Sequence, residues 1–191
     1  NRGFTATKKE PVFSLKYDRA KPDFAELVKQ AQASNPQAIV FLGSGIAMAE
    51  GVKAVRTAGV RTQFVTLSNN ASGGFAKLLG DYAAGTVVTQ VFPPERNTSL
   101  KMIRELTELA QAKGVKEVSP AMVEGFAAAK VLTEALTRAG SNVTSESITR
   151  ALNGLRKFDL GGMEISFSPN DHTGINYVDI SILDGSGKFR R

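Results

Sequence analysis

The stretch Gln37-Ala38-Ile39-Val40-Phe41-Leu42-Gly43-Ser44-Gly45 constrains the fold more than any other part of this chain, because an apolar run stops at a Gly-Ser-Gly turn and passes at once into a helical pattern over 46–58. It reads as a buried strand feeding a helix. In an open α/β sheet, backbone N–H groups and the positive helix end converge just past the carboxyl end of such a strand, and ligands bind there. Ser44, Gly45 and Ile46 therefore form one candidate binding edge.

The same rhythm repeats along the first half. Residues 12–17 alternate as a strand, and Asp23 with Glu26 offers a capping box to a helix carrying Phe24, Leu27, Val28 and Ala31 on one face, which should stop near Ser34-Asn35-Pro36. After the strand at 38–42, the next helix places Met48, Val52 and Val55 inward and ends at Gly59. A strand over 63–67 opens into the polar loop 68–74, which reads as too flexible for a tight turn; a short helix over 75–79 leads to a strand over 86–91. Repeated βα spacing implies a parallel sheet with right-handed crossovers.

Phe92-Pro93-Pro94 breaks the pattern as a stiff connector, and helices follow over 99–113, 121–139 and 145–152. Residues 163–167 and 177–183 then alternate apolar and polar positions around the turn-rich 170–174 segment, which predicts an antiparallel hairpin, with Asp184-Gly185 as a further turn.

Several functions are excluded by what the chain contains. Its 191 residues include no cysteine, so disulfides, thiol nucleophiles and cysteine metal sites are ruled out. A single histidine, His172, lies in a turn-rich stretch with no Ser/His/Asp order or HExxH spacing around it, which removes triad and zinc-hydrolase chemistry. The net charge of +6 is spread along the sequence rather than gathered in a stripe, so no nucleic-acid surface is predicted. Paired acids such as Glu105 and Glu108 have the spacing of a solvated helix face, and Glu124 sits near a helix start where the dipole favours it. Neither a metal nor a cofactor is expected. The Gly43-Ser44-Gly45 turn begins like a dinucleotide fingerprint, but Met48 replaces the third glycine, and the next strand ends in Ser68-Asn69 rather than an acid.

Two polar turns at adjacent strand ends, Ser44-Gly45 and Ser68-Asn69, would lie side by side as a pocket lip. Uncharged donors and acceptors of this kind suit holding a small polar solute better than driving proton transfer.

An ordered set of stretches is similar to the later part of periplasmic solute-binding proteins of the branched-chain amino-acid type, the receptors that feed ABC importers: Tyr17-Asp18 to Asp23-Phe24, Asn35-Pro36-Gln37-Ala38-Ile39-Val40, Ala54 to Gly59, Gly85 to Val91, Glu124-Gly125-Phe126 with Ala139-Gly140, and Gly161-Gly162 to Phe167. The resemblance implies an α/β, doubly wound parallel-sheet lobe of the type I periplasmic-binding-protein fold, a helical segment returning to a first lobe, and a C-terminal β hairpin. By it, residues 1–92 form the second lobe, 93–158 the helical segment of the first lobe, and 159–191 the hairpin and the strand crossing back. The first lobe's sheet, the opening strand of the second lobe and a secretion signal are expected outside these residues.

The implied function is a non-enzymatic, periplasmic receptor that closes a hinged cleft on one amino acid or carboxylate and presents it to a membrane permease. In that alignment Ser44 stands where leucine-binding members place an aromatic ring over the solute, and Ser68 where a carboxylate holds the α-ammonium. Losing that acid removes a charge-assisted bond of about 1.5–3 kcal/mol and brings anionic or neutral solutes level with zwitterions. Main-chain N–H groups at Gly45 and Asn69 are placed to cradle a carboxylate, and Ala121, behind Ser119-Pro120, stands on another wall where it leaves space for a bulky group. A helical segment without its sheet exposes an apolar face, which predicts a homodimer. The rival readings are a nucleotide- or phosphate-binding enzyme of doubly wound fold, and a cytoplasmic amide-sensing regulator built on the receptor fold.

Overall fold

A computed structural model describes residues 2–191. In chain order the elements are α1 (Arg2–Ala6), α2 (Ala25–Ser34), β1 (Ala38–Val40), α3 (Gly45–Thr57), β2 (Gln63–Thr66), α4 (Gly73–Leu79) and β3 (Val87–Gln90). They continue with α5 (Lys101–Ala112), α6 (Pro120–Ala139), α7 (Ser145–Asn153), β4 (Phe158–Asp159), β5 (Glu164–Ser168), β6 (Asp171–Gly174), β7 (Asp179–Leu183) and β8 (Phe189–Arg190). Two compact units result, one of residues up to 88 with 181–190, the other of 89–180 with 191. The boundary falls within β3 and β7.

In the first unit the strands run β1-β2-β3-β7-β8. The first three are parallel, with Ile39 opposite Phe64 and Thr66 opposite Val88. Leu183 exchanges bonds with Gly85 and Thr86 while the Ser181 hydroxyl donates to Val88, so β7 enters antiparallel to β3. Right-handed crossovers that always step the same way along a sheet deliver their helices to the same face. Accordingly the two crossover helices α3 and α4 share one core, which α2 joins: Leu27, Met48, Val52 and Leu79 pack with Ile39, Phe64 and Val88.

The other sheet face is open. Ile39 and Phe41 are buried, but Val40 is 55% and Leu42 62% exposed, so the apolar run at 38–42 is covered on one side only. A parallel strand acquires a second cover only where helices also reach the opposite face, and the crossovers here supply one.

Local chemistry explains most boundaries. The Ser44 hydroxyl caps α3 by accepting from Ala47 N at 3.4 Å, and Gly59 closes it with φ +82°. Helix α2 stops at Asn35, held in the left-handed region at φ 41°.

Four expectations need correction. Residues 12–17 form no strand: Phe13 and Tyr17 turn into the core, while Val12 is 72% exposed and no neighbouring strand receives the backbone. The Asp23–Glu26 capping box is not made, because Asp23 bonds Ala25 N in a local turn and Glu26 pairs with Gln30. The 68–74 loop is an ordered 3₁₀ turn, Ser68–Asn70, followed by Ser72 capping α4 through Phe75 N. Finally, 177–183 is not the hairpin partner of 163–167. Ser168 pairs with Asp171 across Pro169-Asn170, so β6 takes that place, and β7 instead joins the first sheet and makes its own hairpin with β8.

The second unit packs α5, α6 and α7 with the β4-β5-β6 sheet around Met102, Ile103, Leu106, Val123, Leu155 and Leu160. Gly161 at φ +114° receives Met102 N at 3.0 Å on its carbonyl, an approach that a Cβ would block at 2.7 Å. The Asp159 carboxylate binds the N–H groups of Gly161, Gly162 and Met163, and these bonds hold its pKa below the ordinary carboxylate range. Among the described residues no helix is long and apolar enough to cross a membrane.

Candidate functional site

The carboxyl ends of β1 and β2 meet as anticipated, and a specific device joins them. The Gly43 carbonyl receives two side-chain amides, Asn69 Nδ2 and Asn70 Nδ2, each at 3.2 Å. Asn70 also donates to Thr66 Oγ1 at 2.8 Å, and Thr66 Oγ1 donates to Phe41 O at 3.0 Å. Asn70 and Thr66 are both buried, so this polar chain sits in a dry environment where satisfied bonds fix one geometry.

Ser44, Gly45, Ile46, Ser68 and Asn69 therefore gather on one edge of the first unit. Their surroundings differ. Ile46 is 61% exposed in the first turn of α3. Gly45 opens that helix, so its N–H is among those a helix leaves without an internal acceptor. The Ser44 hydroxyl is engaged as a cap and keeps its proton and one lone pair for a solute. Ala121 is in the second unit, exposed in the first turn of α6, which Ser119 caps through Met122 N.

A glycine at 43 is required by close approach. A Cβ there would collide with the Tyr17 hydroxyl and stand 2.8 Å from Phe41 Cε1. At 45 it would meet Asn70 Oδ1 at 3.5 Å, an ordinary contact. Tyr17, Phe24 and Phe41 form a tilted aromatic trio with centroids 5.5–5.9 Å apart, which holds the 15–19 segment against the β1 end.

That seating creates a groove of about 540 Å³. Leu15, Leu42 and Leu67 line it with apolar surface, Tyr17, Gly43 and Asn69 with polar groups, and Lys16 and Arg19 with cationic side chains. The sequence reading missed Asn70, Tyr17, Lys16 and Arg19. Lys16 and Tyr17 lie in the 12–17 alternation, and Tyr17 and Arg19 in the 17–24 stretch that carries the resemblance, without either pattern marking them as site residues.

A second groove, about 470 Å³, lies on the other unit beside α7, lined by Glu146, Arg150, Asn153 and Pro169. His172 stands near it on the surface, 3.1 Å from Asn153 Oδ1. Among the described residues no group of three His, Cys, Asp or Glu side chains is placed to hold a metal.

The family described as periplasmic binding protein matches residues 7–188. No curated protein matches the chain. A substrate-binding periplasmic protein from Ralstonia solanacearum superposes with a TM-score of 0.84 at 29% identity, covering 98% of this chain and 54% of that one. The leucine binding protein LivK from Thermotoga maritima gives 0.79 at 24% identity, covering 100% and 53%. A branched chain amino acid ABC transporter protein from Thermus thermophilus with bound valine gives 0.70 at 22%, covering 88% and 48%. The chain thus spans about half the length of these relatives.

Proposed function

This chain belongs to the periplasmic binding protein family, and on that premise we propose that it is part of an extracytoplasmic receptor holding one small amino acid or carboxylate in a hinged cleft for an ABC-importer permease. Ser44, Gly45, Ile46, Ser68 and Asn69 bind the solute from one lobe, and Ala121 contributes a wall. Residues 1–92 are assigned to the second lobe, 93–158 to the helical segment of the first, and 159–191 to the hairpin and returning strand. The unit boundary at 88/89 supports the first of these divisions, and the return of 181–190 to the first unit supports a strand crossing back, while 159–180 stay with the helical segment.

The observation that carries the reading is the Gly43 carbonyl clip, which locks two strand ends into one uncharged, donor-rich edge beside a groove. No acid, base or nucleophile is aligned there, and hinge closure around a solute needs none. Mass spectrometry of small molecules released on denaturing the purified protein is expected to return one carboxylate or amino acid in stoichiometric amount. A released nucleotide overturns the receptor reading in favour of the enzyme. So does an empty protein that no amino acid or carboxylate stabilises against heating.

The open apolar sheet face, with Val40 and Ile182 both more than two-fifths exposed, carries the homodimer into the same proposal. Light scattering at micromolar concentration is expected to give twice the chain mass of 20.4 kDa, and a monomer ends that part of it.

A further inference from the structure

The groove beside the Gly43 clip combines two features that together select a chemical class of solute. Its walls are apolar, with Leu15 41%, Leu42 62% and Leu67 44% exposed beside it. Its only ionisable side chains besides the Tyr17 phenol are Lys16 and Arg19, and no aspartate or glutamate lines it. Among the described residues neither cation has an ion-pair partner within 4.0 Å; the adjacent Asp18 carboxylate is turned back onto Ala20 N at 2.8 Å. Two cations beside exposed apolar surface, with no acid among the lining residues and no ion pair to either, form an incomplete arrangement.

We infer that Lys16 and Arg19 select an amphiphilic organic anion, a carboxylate carrying an aromatic or aliphatic body, over a zwitterionic amino acid. This rests on the receptor reading and names the solute class for the same edge. The body lies against Leu42 and Leu67, where its burial is favourable in proportion to the apolar area covered. The carboxylate reaches the guanidinium of Arg19 and the ammonium of Lys16 through charge-assisted bonds, and Asn69 lines the same groove. An α-ammonium in this groove meets two like charges and no acid, which costs affinity as well as supplying none.

The test uses the whole chain in an amide-resolved NMR titration, which reads weak binding directly. Benzoate is expected to shift the amides of Lys16, Arg19, Gly43 and Asn69 with a Kd at or below about 1 mM. Benzamide, of equal shape without the charge, and leucine, with the opposing ammonium, are expected to bind at least about tenfold more weakly. Replacing both cations, Lys16→Gln with Arg19→Gln, is expected to weaken benzoate by roughly a hundredfold, about tenfold for each charge, while leaving the amide spectrum otherwise dispersed as in the parent. Equal affinity for benzoate and benzamide overturns the inference, as does benzoate binding unchanged in the double variant, or no shift in the groove with benzoate. Leucine binding there more tightly than benzoate overturns the anion selection yet leaves the receptor reading standing, so the two fail separately.

Discussion

Replacing Gly43 by alanine is expected to abolish solute binding at the β1–β2 edge and to lower the melting temperature of the first unit. The added methyl has nowhere to go: it would overlap the Tyr17 hydroxyl and press on the Phe41 ring at 2.8 Å. Phe41 is only 7% exposed within the packed core and cannot retreat. Either Tyr17 swings out, removing the wall that carries Lys16 and Arg19, or the turn lifts and stretches the two Asn amide bonds to the Gly43 carbonyl. Overpacking of this kind costs about 1–3 kcal/mol. Both routes dismantle the groove, so binding falls further than stability does. Adding Tyr17→Phe to the alanine variant removes the first atom met and is expected to recover part of the melting loss. Calorimetry and a ligand titration read the two effects; an alanine variant that melts and binds like the parent would refute the close approach of Tyr17.

The element order was legible because periodicity and turn chemistry agree along most of this chain. The helix starting after Ser44 and ending at Gly59 emerges within one residue of its expected bounds, since a cap and a left-handed glycine mark it in the sequence itself. Residues 12–17 misled because alternation records which side chains face inward, and Phe13 and Tyr17 do so, but strand formation also needs a partner backbone that a local pattern does not encode. The C-terminal pairing failed for a related reason. Pro169-Asn170 and the Asp171 to Gly174 strand compete with Asp179 to Leu183 for β5, and the shorter closure wins because little loop entropy is lost in a two-residue turn.

At the site, the sequence located the two strand ends yet not what joins them. In the sequence Asn69 marks the pocket lip and Asn70 only loop polarity, and the fold alone shows the Gly43 carbonyl lying between their amides. Lys16 and Arg19 were two among many scattered cations, and their meaning depends on the aromatic trio that seats their segment 26 residues from Gly43 in sequence order, counted from Tyr17. A neighbouring charge becomes a recognition element through tertiary packing, which no spacing rule in one sequence conveys.

The largest loss of stability is expected from Phe64→Ala. Phe64 sits at the middle of β2, fully buried, opposite Ile39 of β1 and within the core shared by α2, α3 and α4. Cutting it to alanine removes the ring's burial and leaves a cavity that a close-packed sheet cannot collapse around, a change of about 3–5 kcal/mol. The Arg56 guanidinium, 5.5 Å from the ring centroid, loses its aromatic face at the same time. Against a total of roughly 5–15 kcal/mol for a domain, that is a fifth or more of the stability. At about 4–8 °C per kcal/mol for a unit of about 100 residues, the melting temperature of the first unit falls by roughly 12–40 °C. Phe64→Leu, which keeps most of the volume, is expected to cost under half as much. Because β2 ends at Thr66, whose hydroxyl supports Asn70, the alanine variant should also loosen the clip on Gly43 before the unit melts, and solute affinity should fall at temperatures where circular dichroism still reports a folded chain. Denaturant titration supplies the free energy; a loss under about 1 kcal/mol would place Phe64 outside the core that organises this edge.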